Sequence, residues 1–245
     1  METRIPALTC AAGARNPPNP VTWSYNRTRR EAGPPPPERA PRLVAFFACI
    51  YYAALRPGEV VHLRVDECEL PESGWGVLRL TGSTQHAGRD WGDDPSVVLE
   101  DRELKHRAKT ATRAVPAPPP LVRALRWHIA AYGHTVDGRL FYVPTYSNKP
   151  VSKWSCTYAW RQARVRALTR AQQQSPLAAR PYDLRHAAVS LWLNAGVPAT
   201  QVAEWAGHSV HVLLKVYAQC IEGQDDVARR RIGEALGLPD QDNEI

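Results

Sequence analysis

The chain has 245 residues, 44% hydrophobic and 22% charged, with 31 Lys and Arg against 24 Asp and Glu, a formal charge of 31 − 24 = +7. That length suits one domain of about 100–200 residues, or one with a fragment of another, and the apolar content, with 8 Trp and 9 Tyr, excludes a wholly disordered chain. The longest apolar run, 43–55, has 13 residues, short of the roughly 20 that span a bilayer, and the first 30 residues lack the apolar segment of a secretory signal, so a cytoplasmic protein is expected.

Residues 1–41 are Pro-rich, with Pro34 to Pro37 in a row and little apolar periodicity, and read as a flexible leader with no room for a packed unit. From Leu43 the residues Phe46, Phe47, Ile50 and Tyr51 recur at helical spacing, and this helix ends near the turn at 55–58. A short helix is expected at 59–63. The pattern then switches to strands at 76–80, 103–107 and 113–116, with a turn-rich stretch, 82–95, between the first two. Helices follow at 121–132, 152–169, 182–195, 198–206, 209–219 and 224–236, with Ser209 as an N-cap and Gly196 and Gly237 just past helix ends. The expected fold is mostly α with one small antiparallel three-stranded sheet, in a single domain over 42–238 followed by a tail at 239–245.

The five cysteines, Cys10, Cys49, Cys68, Cys156 and Cys220, are odd in number, far apart and without a C-x-x-C pair, which argues for free thiols over a disulfide framework or zinc ribbon. His208 and His211 could suggest a metal, but no third His or Cys stands at ligand spacing. The basic residues are 26 Arg and only 5 Lys. Arginine's planar fork matches phosphate oxygens, but basic charge alone does not identify a nucleic-acid partner.

The informative stretch is Pro181-Tyr182-Asp183-Leu184-Arg185-His186, followed by Ala206-Gly207-His208-Ser209 and Val216-Tyr217. Tyr182 and Arg185, three apart, share one face of a helix, and upstream stand Arg56-Pro57-Gly58-Glu59 and, in the strand region, Leu104-Lys105-His106-Arg107. In this order and spacing they resemble the catalytic domain of the tyrosine recombinases of the phage-integrase class, particularly integrases of mobile elements, over about 42–235. The resemblance implies the fold of DNA breaking and rejoining enzymes and a catalytic set of Arg56, Lys105, Tyr182, Arg185, His208 and Tyr217, with Lys109 as the alternative to Lys105. Tyr182 stands where that family most often has His, and a phenol is the poorer base near neutral pH. The resemblance also implies double-stranded DNA as partner, a homotetramer on paired sites, an accessory DNA-bending protein, and no cofactor, metal or membrane. Members of the family usually carry a core-binding domain before the catalytic one. The leader is too short for a complete one, so impaired activity is an expectation.

The residue types suit that chemistry. Attack on a phosphodiester builds negative charge on the non-bridging oxygens of a five-coordinate phosphorus, which two guanidinium groups, here Arg56 and Arg185, can clamp. Tyr217 as nucleophile would hold the strand as a 3′-phosphotyrosyl ester, conserving bond energy for religation. Lys105 would protonate the leaving 5′-oxygen, and His208 would hydrogen-bond the phosphate and assist proton transfer. Glu59 is expected to orient Arg56. Asp183 and His186 are expected to hold local structure, since residues adjacent to Arg185 point about 100° away on a helix. The run 229–231 reads as a solvated helix face. The last helix is expected to pack on its own domain, or, as the resemblance implies, on the next protomer. Nine residues of straight helix would put His208 and Tyr217 about 13 Å apart, so the chain must bend between them or deliver Tyr217 to a neighbouring subunit. Two other readings stay open: an N-terminally truncated DNA-binding remnant without recombination activity, and a nicking and resealing enzyme like a type IB topoisomerase.

Overall fold

A computed structural model describes residues 39–86, 99–104, 112–144, 149–217 and 225–237. The chain divides after Pro37, and all described residues lie in the unit Glu38–Ile245. Helix α1 (Arg39–Ala53) is the centrepiece of the core. Its Leu43, Phe46, Ile50 and Ala53 form an i, i+3, i+7, i+10 stripe buried against α3 (Pro119–Tyr132) and α6 (Asp183–Asn194). It ends at Ala54, a non-glycine residue at φ 49°, a backbone conformation that costs energy and that recurs at functional sites. Helix α2 (Pro57–His62) follows at once.

The three-stranded sheet runs β1 (Cys68–Glu69), β2 (Gly76–Leu80), β5 (Arg113–Ala117), all antiparallel, with Leu78 opposite Val115. Period-two alternation buries Gly76, Leu78 and Leu80 with Arg113, Val115 and Ala117 on one face. Two expectations need correction here. The stretch expected as turn contains a strand, β3 (Gly82–His86), which pairs with β4 (Leu99–Glu103) in a separate two-stranded sheet, Thr84 opposite Asp101. Glu103, the first residue of the strand expected at 103–107, instead ends β4 opposite Gly82, and residues 105–111 lie outside the described ones. The reason is chemical. The sequence of β3, Gly-Ser-Thr-Gln-His, has no apolar alternation, and the hairpin is held by polar groups. Asp101 Oδ2 accepts from Arg139 Nη2 at 3.1 Å, and Thr84 Oγ1 accepts from Arg139 Nη1 at 2.9 Å. Burial would raise the Asp101 carboxyl, but the hydrogen bond from Thr84 and the charges of Arg139 and His62 bring it down to about 2.

After α3 come α4 (Lys153–Ala167), α5 (Arg170–Gln174), α6, α7 (Ala199–Ala206), α8 (Val210–Tyr217) and α9 (Asp225–Ala235). The short α5 was not expected; its own capping box starts it, with Thr169 Oγ1 accepting from Gln172 N. Ser209 caps α8, its hydroxyl accepting from Val212 N at 3.2 Å. A second core joins Ala54 to Ala188, Val189, Leu193, Val202, Ala203, Ala206, Leu213 and Tyr217, so that α6, α7 and α8 pack against the end of α1. Among the described residues no helix is long and apolar enough to cross a membrane. Cys49, Cys68 and Cys156 are free thiols; burial pushes Cys156 up to about 12. Cys10, Cys220, most of the leader and the tail lie outside the described residues.

Candidate active site

Arg56 is the N-cap of α2, and Pro57 opens the helix with a preset φ and no donor to leave unpaired. Glu59, at the third helical position, is buried at 2% exposure. Its Oε2 accepts from Arg56 N at 2.8 Å and from Arg113 Nη2 at 2.6 Å, while its Oε1 accepts from Arg56 Nη1 at 2.9 Å. Burial pushes the Glu59 carboxyl up, but Arg113, by charge and hydrogen bond, and then Arg56 outweigh it and hold it below the ordinary glutamate value.

Arg185, in the first turn of α6, has no exposed surface. Its Nη1 donates to Ala54 O, at the strained end of α1, and its Nη2 to Ala206 O, at the end of α7. Burial first, and Arg56 second, lower the Arg185 guanidinium to about 10, still charged at neutral pH. Arg56 Nη2 donates to Gly207 O. Gly207 closes α7 in the left-handed region, φ 66° and ψ 44°, and a Cβ there would collide with Nη1 of Arg113, so both backbone and space require glycine. Three guanidiniums around one carboxylate leave a local charge of 3 − 1 = +2. Arg113 Nε, Arg185 Nε and His208 Nε2 are buried there without a hydrogen-bond partner among the described residues.

The left-handed turn also settles the path to Tyr217. His208 N donates to Ala203 O at 2.9 Å, the chain doubles back, and α8 packs on α7. The Tyr217 ring therefore returns to 6.4 Å, centroid to centroid, from His208 of the same chain. Tyr217 is 2% exposed, and its Oη is hydrogen-bonded to His186 Nδ1 at 2.8 Å. This corrects the expectation that His186 only supports local structure. A 100° step from Arg185 carries His186 away from α1 but toward α8, because α6 is flanked on more than one side. Asp183 does act locally, its Oδ2 accepting from Arg180 N at 2.9 Å.

Burial first, then the charges of Arg185, Arg56 and Arg113, depress His208 to about 4, so its imidazole is neutral at pH 7. An unfolded histidine titrates near 6.5. Between those values the unfolded chain binds more protons, so stability falls as pH drops from about 6.5 through about 4. Thermal melting at pH 7 and pH 5 checks this: His208→Gln is expected to show a smaller drop in Tm than the parent chain. An equal drop would show that His208 carries none of it.

Of the six expected residues, Arg56, Arg185, His208 and Tyr217 converge. Tyr182 sits at the N-cap of α6 with its ring 5.1 Å from that of His186. Lys105 and Lys109 lie outside the described residues; Leu104, just before them, is buried. Arg113 and His186 belong to the cluster and were missed. The i, i+4 spacing from Tyr182 could have flagged His186; no pattern in the sequence marks Arg113. His211 is exposed, and among the described residues no group of three or more His, Cys, Asp or Glu could hold a metal. Within the basic run at 229–231, Arg231 departs from a purely solvated role: it donates to Gly196 O at 3.1 Å and Ala195 O at 2.9 Å, at the carbonyl end of α6.

No family model and no curated protein sequence matches the chain. Solved structures do. The chain is similar to the Tn1549 transposon integrase in complex with a circular intermediate DNA, with a TM-score of 0.58 and 16% identity over 79% of this chain and 58% of that one. The same integrase in complex with transposon right end DNA gives a TM-score of 0.57 and 17% identity, over 80% and 59%. The XerH site-specific recombinase bound to palindromic difH substrate, a post-cleavage complex, gives 0.52 and 15%, over 81% and 46%. The fold is that of the tyrosine recombinase catalytic domain. The chain spans less than two thirds of the length of these structures.

Proposed function

We propose that this chain is a site-specific DNA recombinase that cuts and rejoins double-stranded DNA through Tyr217. The observation that carries the reading is the convergence, around Gly207, of Arg56, Arg113, Arg185 and His208 with the hydroxyl-bearing end of α8. A net +2 pocket rich in N–H groups suits the dianionic phosphorane that forms in phosphoryl transfer. Arg56 and Arg185 clamp the non-bridging oxygens and His208 hydrogen-bonds one of them. Tyr217 Oη attacks phosphorus, the bond to the 5′-oxygen breaks, and Lys105 supplies the proton to that leaving group. The 3′-phosphotyrosyl ester keeps the energy of the broken bond, so a DNA hydroxyl can reverse the step without a cofactor. A homotetramer on paired sites, and an accessory DNA-bending protein, accompany this reading.

The test uses a pool of nicked duplexes of randomised sequence, in which the cleaved end diffuses away and traps the ester. The parent chain is expected to yield a denaturant-resistant adduct, with phosphotyrosine at Tyr217 by mass spectrometry, and Tyr217→Phe none. Binding without any adduct would instead identify a DNA-binding remnant. Exchange of strands between two copies of a recovered duplex separates recombination from relaxation of the topoisomerase kind.

A further inference from the structure

Tyr217 is an attacking group only if something takes its proton. The residue in the usual basic position of the resembled box is itself a phenol, Tyr182. His186 meets the Tyr217 hydroxyl at 2.8 Å through Nδ1, with the two rings 5.7 Å apart and inclined by 46°. A base in direct contact must lie within about 2.6–3.2 Å, heavy atom to heavy atom, of the group whose proton it removes. The catalytic set that the resemblance implies does not include His186.

Resting on the recombinase reading, we propose that His186 is the general base of the cleavage step and the general acid of its reversal. As the Tyr217 Oη–P bond forms and the P–O5′ bond breaks, the hydroxyl proton of Tyr217 passes to His186 Nδ1. When a 5′-hydroxyl attacks the phosphotyrosine, the same proton returns to the departing phenolate. The step needs a neutral imidazole protonated at Nε2. The surroundings favour the neutral form: burial lowers the affinity of His186 for a second proton, Asp183 opposes this, and Arg185 and Arg180 reinforce it. Tyr182 faces His186 from the start of α6, Tyr217 from α8, and His208, itself neutral at pH 7, from the link between α7 and α8. Tyr182 packs its ring edge against the imidazole and so holds it toward α8. The work is thereby divided differently from the resembled pattern: position 182 positions, and position 186 exchanges the proton.

The experiment measures single-turnover adduct formation by the full chain on one duplex recovered from the randomised pool, from pH 5 to pH 9. His186→Ala and His186→Asn are compared with the parent; asparagine keeps a hydrogen-bond acceptor near the Nδ1 position but cannot accept the proton. Both are expected to slow adduct formation by at least about 100-fold at pH 7. Both should also lose the fall in rate that the parent shows on the acid side, and added imidazole should restore the alanine variant in part. A duplex with sulfur at the scissile 5′-bridging position, a good leaving group without protonation, should rescue Lys105→Ala but not His186→Ala. Parent-like rate and pH profile in His186→Asn would overturn the assignment. So would a faster His186→Ala, which would make the contact a resting position for Tyr217. Heteronuclear NMR of the DNA-free protein separates failure of this idea from failure of the recombinase reading: Tyr217→Phe is expected to shift the His186 Nδ1 resonance. An unshifted resonance removes the contact itself, whereas a shifted one with no adduct from the parent removes the reaction.

Discussion

Arg185→Ala is expected to reduce adduct formation by about 100- to 1000-fold, the usual effect of deleting one preorganised donor to a developing oxyanion, while changing duplex affinity far less. The side chain is wholly buried and grips two main-chain carbonyls, Ala54 O and Ala206 O, so it is locked before substrate arrives. Its charge matters most where charge develops, in the transition state, and least in the ground-state complex. The cost to the fold has two opposing parts. Two buried acceptors lose their donors, at about 1–3 kcal/mol each, but a cation crowded by Arg56 and Arg113 is removed, a crowding already visible in its lowered proton affinity. These partly offset, so the variant is expected to remain folded and to bind. Fluorescence anisotropy on the recovered duplex, set beside adduct yield, reads the two separately; a parallel loss of both would count against a role in the chemical step. Arg185→Lys is expected to fare little better, because one ammonium cannot bridge two carbonyls that a planar fork spans.

Glu59→Gln has the largest expected effect on stability. Among the described residues its carboxylate is the only anionic group hydrogen-bonded to Arg56 and Arg113 in the buried site, through both oxygens. Removing one member of a buried ion pair commonly costs about 3–5 kcal/mol, because the remaining charge is left uncompensated. A glutamine also turns two of its own N–H groups toward guanidiniums that have no lone pair to offer. The pH dependence follows in sign. The folded-state pKa of Glu59 lies below its unfolded value, so the stabilisation is complete above that unfolded value, about 4.3, and is lost as pH falls through the folded one. Chemical denaturation at pH 7 should therefore show the full deficit of the variant, and at pH 3 a smaller one. A constant difference at both pH values would mean that the charge on Glu59 contributes nothing.

Legibility in the sequence differed by interaction type. Helices with an apolar stripe, such as α1 and α3, were readable because burial imposes a period of 3.6 on the sequence. The hairpin of β3 and β4 was not, since Thr84, Asp101, Arg139 and His62 hold it through charge and hydrogen bonds that no hydropathy pattern records. In the candidate site, Arg56, Arg185, His208 and Tyr217 could be named from order and spacing. Arg113 could not, because a buried arginine on a sheet face is recognisable only beside the carboxylate that compensates it, 54 positions away in the chain. His186 was misjudged by treating a helix as having one inward face. Helix α6 lies between the end of α1 and the α7–α8 pair, so two consecutive residues both point inward.

The guanidinium cradle hangs on main-chain oxygens at Ala54, Ala206 and Gly207. Peptide oxygens are present whatever side chain a position carries, so the cradle tolerates wide drift in the surrounding sequence, provided that residue 207 stays free of a Cβ and residues 54 and 206, both fully buried, stay small.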